Sequence, residues 1–145
     1  MPISFLNDGD KQQFDNDGYI IVPNLLNEME AQLLGKIARI DRKLAAEKTS
    51  RADGEGGSVD LVISNDLPTD TIYGAIVRMQ PLVETMEQLL EDEVYHYHHK
   101  MILKEPKVGG AWAWHQDYGY WYNNGCLFPD MASCMIAVDK ATKKN

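Results

Sequence analysis

The chain has 145 residues, 44% of them hydrophobic, and its 22 acidic and 14 basic side chains give a formal charge of −8 at pH 7. This length and composition suffice for one domain with a hydrophobic core but not for two, so residues 1–145 are predicted to form a single domain. The negative charge disfavours binding to nucleic acids and to anionic membranes.

Segments that direct a protein into or across a membrane are not evident. No apolar run approaches the roughly 20 residues of a membrane span, and residues 1–10 lack the basic start and apolar centre of a signal peptide. The two cysteines, Cys126 and Cys134, are not in a CxxC spacing, which argues against a zinc knuckle or a redox pair. The sequence therefore predicts a soluble, cytoplasmic protein with two reduced thiols on the core side.

The first half of the chain is predicted to begin with a helix, a strand and a long helix. Residues 10–17 indicate a short helix, and residues 18–22 a strand that Pro23 ends. Asn27 and Glu30 then form a capping-box pattern. Behind them, apolar residues recur at steps of three and four, opposite a basic face with Lys36 and Arg39: Leu26, Met29, Leu33, Ile37, Ile40 and Leu44.

The next predicted elements are shorter. Residues 49–58 have almost nothing to bury and are expected to form a mobile loop. A brief strand is predicted at 59–64, a helix at 69–78, and a second helix starting at Pro81.

The second half has the composition of β-structure. Strands are predicted at residues 94–104, 111–117 and 132–139, with a Pro- and Gly-containing connection at 105–110. The aromatic stretch before the last strand contains Asn-Asn-Gly at 123–125, which favours a tight turn.

His115 and Asp117 are the candidate metal ligands and catalytic residues. On a strand, residues i and i+2 project from the same face, so one imidazole and one carboxylate can reach the same ion. This is two-thirds of the 2-His-1-carboxylate triad that binds Fe(II), although Mn, Ni or Zn could bind the same donors. An ordinary surface hydrogen bond is the simpler role for such a pair, but its place at the end of a strand of Trp and Ala favours a cavity with apolar walls.

Residues 18–23, the long amphipathic helix and above all Trp-His-Gln-Asp-Tyr-Gly-Tyr-Trp at 114–121 resemble the phytanoyl-CoA dioxygenase (PhyH) family. The similarity continues through residues 133–139 to Asn145 and so covers essentially the whole chain. Members of this family are Fe(II)- and 2-oxoglutarate-dependent oxygenases, and the residues matching His115 and Asp117 bind the iron.

The resemblance implies an α+β fold with a mainly β core. The expected architecture is a double-stranded β-helix, the jelly roll of cupins, with N-terminal helices packed on the sheet. In the family, the second metal-binding histidine and the arginine that binds 2-oxoglutarate would follow Asn145. The chain is therefore expected to be an N-terminal portion that lacks the last strands and is inactive alone.

The resemblance further implies hydroxylation of a small organic or acyl substrate with O2, with 2-oxoglutarate as co-substrate. Lys100 and Lys104 are candidates for pairing with a 2-oxoglutarate carboxylate, although strand-end lysines are more often simply solvated. Met135 matches a co-substrate contact in some relatives, and its simpler role is core packing. Four aromatic residues are candidates for the substrate entrance, or else for core or interface packing: Tyr118, Tyr120, Trp121 and Tyr122.

Two alternatives to the oxygenase remain open. One is a non-catalytic, truncated jelly-roll module whose open strand edges would invite association. The other is a cupin-like metal isomerase or hydrolase that does not use 2-oxoglutarate and needs three or four ligands within this chain. His96, His98 and His99 are the candidates for those extra ligands, but half-buried strand residues with satisfied ring nitrogens are the commoner situation.

Overall fold

The computed structural model describes residues 6–52, 56–64, 70–104 and 114–142. This part of the chain combines helices with a small antiparallel sheet, so its class is α+β, as predicted. In chain order the elements are α1 (Asp8–Asp17), α2 (Glu28–Ile40), α3 (Arg42–Glu47), β1 (Thr49–Ala52), β2 (Ser58–Ser64), α4 (Ile72–Val77), α5 (Gln80–Leu90), β3 (His99–Leu103) and α6 (Asp117–Asn123).

The sheet has the strand order β1-β2-β3, with both pairs antiparallel. Arg51 lies opposite Val59 in the first pair, and Ile63 lies opposite Lys100 in the second. The prediction of a mobile loop at 49–58 is wrong for Thr49–Ala52, which forms an edge strand although all four residues are exposed. Its backbone groups bond to β2, so pairing creates a strand that hydrophobicity alone did not indicate.

The hydrophobic core of the described residues is small and centres on the middle strand. Its buried apolar side chains are Leu34 of α2, Leu89 of α5, and Val59, Leu61 and Val62 of β2. Val59 and Leu61 lie on one face of β2 and Val62 lies on the other, so both faces of the strand carry buried side chains.

Helix α2 does not bury the apolar stripe that its periodicity indicated. Met29, Leu33 and Ile40 are 78%, 53% and 77% exposed, whereas Leu34 and Gly35 are buried. A Cβ at Gly35 would lie 2.7 Å from the Arg39 guanidinium and 3.4 Å from Val138, so the glycine leaves room for the Arg39 side chain beside the segment around Val138.

The basic face of α2 remains largely exposed, as predicted, but it also forms an ion pair. The Arg39 guanidinium donates to both carboxylate oxygens of Asp139, at 2.6 and 2.7 Å. The predicted wet face of this helix therefore contacts the last described segment of the chain.

Helix ends follow local sequence signals closely. The Asn27 side chain accepts from the Glu30 amide at 3.0 Å and the Glu30 side chain accepts from the Asn27 amide at 2.8 Å, which confirms the predicted capping box. Gly18 ends α1 with φ of 76°, as its position predicted. The long helix is interrupted at Asp41, whose Oδ1 accepts from the Lys43 amide at 2.9 Å and starts α3.

The two predicted helices in the middle of the chain are present. The first is α4, with Thr71 as its N-cap, and residue 69 lies outside the described residues. The second is α5, which has Pro81 in its first turn.

Three strand predictions outside the candidate site are wrong in whole or in part. Residues 18–22 and 132–139 adopt no regular structure, and Ile21 is 80% exposed. Of the predicted strand 94–104, only His99–Leu103 pairs with a neighbour. Residues with strand propensity need a partner strand to bond with, and the described residues provide none at these places.

The structure also tests the predictions for the turn after residue 123 and for the two cysteines. The turn after residue 123 is present, with Gly125 at φ of 100°. Both cysteines are free thiols, but Cys134 is exposed and Cys126 only half-buried, so the core-side placement is wrong for Cys134. The connection 105–110 and residues 111–113 lie outside the described residues.

Among the described helices, not one combines the length and the apolar character that a bilayer crossing requires.

Candidate metal centre

His115 and Asp117 lie at the junction between an extended segment and α6. The imidazole Nε2 and the carboxylate Oδ1 are 2.8 Å apart. Residues 114–116 form no strand pair and Asp117 is the first residue of the helix, so the predicted strand does not continue through this segment. The two side chains still meet because Gln116, between them, is extended, with φ of −106° and ψ of 119°.

The chemistry and spacing of this pair fit a divalent metal ion. The 2.8 Å separation is that of an ordinary hydrogen bond, the simpler role considered for this pair. It is also close to the distance of about 3 Å between two donors bound at about 2.1 Å to one ion at right angles. The side chains are 47% and 63% exposed and the adjacent Trp114 is fully exposed, so an ion can approach from solvent. The predicted cavity with apolar walls is therefore wrong for the part of the chain that the structure describes. Within the described ranges, no three His, Cys, Asp or Glu residues come together as a metal-binding group, so the pair would supply two ligands of a larger set.

Helix α6 carries Asp117 and is attached to the segment before β3 by aromatic contacts. The Trp121 ring lies 5.4 Å from Tyr97 with an interplanar angle of 83°, and 5.0 Å from His98 with an angle of 38°. Tyr120 meets Trp121 edge-on at 4.9 Å. Because Asp117 and Trp121 are four residues apart on one helix, they lie on the same side of it.

The chain after α6 folds back onto the helix. The Tyr118 hydroxyl donates to the Leu127 carbonyl at 3.0 Å, and the Cys126 amide donates to the Trp121 carbonyl at 3.0 Å. Of the four aromatic residues predicted at the substrate entrance, Tyr120 and Tyr122 are more than half exposed, and Tyr118 and Trp121 are half-buried. The group therefore lies at the surface beside the candidate ligands and not in the core.

The three upstream histidines make other contacts. Nε2 of His96 and Nδ1 of His99 share a hydrogen bond of 3.1 Å, whereas His98 packs on Trp121. Burial lowers the pKa of all three rings, with a further contribution from Arg78 at His96, from Lys100 at His98, and from the other two histidines at His99. The structure thus favours neutral imidazoles that pair or stack within the protein.

The residues proposed to contact the co-substrate lie on exposed surface. Lys100 is on the edge strand β3 and Lys104 directly follows it, and both are exposed. Neither lysine forms a hydrogen bond or ion pair with any described residue. Met135 is 89% exposed, so the simpler role of core packing is wrong for it.

Sequence reasoning did not identify the contact of Tyr97 and His98 with Trp121. Long-range ring contacts leave no mark in hydrophobic periodicity. The only available signal was that both segments are rich in aromatic residues.

Comparison with known proteins identifies relatives of this chain. It is 31% identical over 137 residues to an L-proline trans-4-hydroxylase of Streptomyces griseoviridis, an alignment that covers 93% of this chain and 50% of the relative. It is 29% identical over 138 residues to an ectoine dioxygenase of Bordetella bronchiseptica, covering 92% and 44%. An ectoine dioxygenase of Streptomyces avermitilis is 23% identical over 132 residues, covering 89% and 44%.

The chain spans about half the length of the curated relatives it matches. No solved structure matches it. The model of the family "Phytanoyl-CoA dioxygenase (PhyH)" matches residues 14–145, nearly the whole sequence and including the His115–Asp117 pair. The chain therefore belongs to the phytanoyl-CoA dioxygenase family.

Proposed function

We propose that this chain is part of an Fe(II)- and 2-oxoglutarate-dependent dioxygenase that hydroxylates a small organic substrate. The observation that carries the proposal is the 2.8 Å approach of His115 Nε2 and Asp117 Oδ1 at the surface of a chain in this family. Hydroxylase and dioxygenase relatives support the reaction type.

His115 and Asp117 would hold the metal ion in this proposal. The imidazole gives a neutral nitrogen donor, and the carboxylate gives an oxygen donor whose negative charge offsets part of the ion's charge. Fe(II) bound there with 2-oxoglutarate supplies the oxidation, in which O2, 2-oxoglutarate and a substrate C–H bond become succinate, CO2 and a C–OH group. The protein's own task is to hold the donors, orient the substrate and limit the access of water.

The rest of the site belongs to a larger domain in this proposal. His115 and Asp117 are two protein ligands, so a third ligand would come from outside the 145 residues. The arginine that binds 2-oxoglutarate would come from there as well. The chain spans about half the length of its relatives, which supports this proposal. The complete domain would be a jelly roll, of which the sheet β1-β2-β3 is one part. Lys100, Lys104 and Met135 remain proposed contacts of the co-substrate.

The substrate is proposed to resemble the compounds in the relatives' names. L-Proline and ectoine are both small cyclic amino acid derivatives. Such a substrate needs a few polar anchors near the metal and otherwise an apolar wall.

The test is turnover by the complete polypeptide that contains this sequence. The protein is incubated with Fe(II), O2 and 2-oxoglutarate and either L-proline, ectoine or no substrate, and succinate and the hydroxylated product are measured by mass spectrometry. We expect succinate release that requires Fe(II). We expect His115→Ala and Asp117→Ala each to reduce it by more than about 100-fold, because mutation of a residue that only supports a metal ligand already lowers metal affinity or activity about 10- to 100-fold.

Asp15→Ala is the matched control, because Asp15 is an exposed aspartate on α1 and should leave turnover unchanged. Succinate release that persists in both ligand variants would overturn the proposal. Turnover of a substrate in the absence of any keto acid would instead favour a metal isomerase or hydrolase.

A further inference from the structure

We propose that His98 is a positioning residue for the Asp117 carboxylate, acting through the ring of Trp121. The inference rests on the proposed function, because it assigns His98 a role in holding one of the two proposed metal ligands in place. It differs from a ligand or co-substrate role for His98, in which the imidazole itself would touch the reacting groups.

The contact geometry supports this role. The His98 ring packs on Trp121 with centroids 5.0 Å apart and an interplanar angle of 38°. Tyr97 meets the same indole in an edge-on arrangement at 5.4 Å and also meets His98 edge-on at 5.6 Å. Trp121 is thus fixed against two neighbouring rings of the segment that leads into β3.

Helix α6 depends on this contact for its orientation. It has only 7 residues, too few to be stable without packing. Among the described residues its side-chain bonds are local. Besides the His115–Asp117 contact, Asn123 Nδ2 donates to the Gly119 carbonyl, Asn124 Nδ2 to the Tyr120 carbonyl and Tyr118 Oη to the Leu127 carbonyl. These bonds shape the helix and the following turn but do not attach them to the sheet.

A second tie joins the same two segments. Tyr97 also lies next to Cys126, and Cys126 is held to α6 by the hydrogen bond from its amide to the Trp121 carbonyl. Both links therefore run from residues 97–98 to the C-terminal end of α6. They fix the far end of a helix whose first residue is Asp117.

A shift of Trp121 also moves the Asp117 carboxylate, because the two residues are one helical turn apart on the same side of α6. If the His98 ring no longer packs against the Trp121 indole, the helix can rotate or tilt. The Asp117 carboxylate then leaves its position near His115. The expected result is weaker metal binding with the two ligands themselves unchanged.

The experiment measures Mn(II) affinity by electron paramagnetic resonance, using the complete polypeptide and no co-substrate. His98→Leu removes the aromatic platform but keeps an apolar side chain, and we expect it to weaken Mn(II) binding by about three- to ten-fold, the range expected for loss of one aromatic contact. His98→Phe keeps a ring and should bind Mn(II) within about two-fold of wild type. Tyr95→Ala, at an 82% exposed tyrosine of the same segment, is the control and should have no effect.

Two results would overturn the inference. One is Mn(II) binding by His98→Leu that equals wild type. The other is a His98→Phe variant as weak as His98→Leu, which would mean that the imidazole nitrogens matter and not the stacking. If His98→Leu does not fold, Tyr97→Leu removes the other ring from Trp121 and carries the same expectation.

His115→Ala separates this inference from the proposed function. If it leaves Mn(II) affinity unchanged, the proposed metal centre is wrong and the role of His98 is overturned with it. If it abolishes binding while His98→Leu does not weaken it, the metal centre stands and the inference about His98 alone fails.

Discussion

The hydrogen-bonded pair of His96 and His99 makes the stability of the protein depend on pH. Burial lowers the pKa of both rings below the ordinary value of 6.5. The unfolded chain therefore binds more protons than the folded chain as the pH falls below about 6.5, and the free energy of unfolding decreases in that window.

Urea unfolding at about pH 7.5 and about pH 5.5 checks this prediction. We expect a lower midpoint at the acidic pH, and a smaller difference between the two pH values in His99→Gln, which cannot take up the proton. An equal difference in the variant and the wild type would show that these rings are not responsible.

At the residue scale, the candidate site could be predicted where it depends on local backbone. The approach of His115 and Asp117 needs only an extended Gln116 between them, and this holds even though residues 114–117 do not form the predicted strand. The contact of His98 with Trp121 could not be predicted, because it depends on how two distant segments fold together. For the same reason, the exposure of Met135 did not follow from its apolar character.

At the scale of elements, the capping box of α2 is the clearest local determinant of structure. Asn27 and Glu30 satisfy two backbone amides that the helix leaves unbonded. Asn27→Ala should lower the free energy of unfolding by about 1 kcal/mol. Chemical denaturation measures this, with Lys36→Ala, an exposed site on the same helix, as a control expected near zero. Equal stability of the two variants would contradict the role of the cap.

A second element-scale prediction concerns the break between α2 and α3. The Tyr73 hydroxyl donates to Asp41 Oδ2 at 3.2 Å, and burial together with the Asp41 charge raises the pKa of Tyr73 to about 12. Tyr73→Phe should therefore cost about 1 kcal/mol of stability at neutral pH. Thermal unfolding of Tyr73→Phe, Asp41→Asn and the double variant tests the link. If the two single losses simply add, the bond contributes nothing.

Helices could be predicted from the sequence more reliably than strands, for a physical reason. Caps such as Asn27 and stops such as Gly18 act on backbone groups within a few residues. A strand forms only beside a partner strand. Residues 18–22 and 132–139 therefore do not form strands, although their composition favours β-structure. Conversely, the exposed residues Thr49–Ala52 form a strand because they pair with β2.

At the scale of the whole molecule, the described residues leave large apolar side chains exposed. Ile21, Ile40 and Phe128 are at least 74% exposed. This exposure is consistent with the proposal that a larger domain covers part of this surface.

The 145-residue chain alone should therefore self-associate. We expect sedimentation to show a mass that rises with concentration above 16.4 kDa, because exposed apolar side chains and the edge strands β1 and β3 both favour association. Ile21→Lys with Ile40→Lys should reduce it, and the exposed polar changes Gln32→Lys with Asn123→Lys provide the matched control. A strictly monomeric chain at high concentration would contradict this prediction.

The central claim, that His115 and Asp117 bind one metal ion together, is tested most directly by anaerobic calorimetric titration of Fe(II) into the complete polypeptide. We expect one site in the wild type and in Asp15→Ala. We expect that site to be lost in both His115→Ala and Asp117→Ala. Fe(II) binding of unchanged affinity in either ligand variant would contradict it.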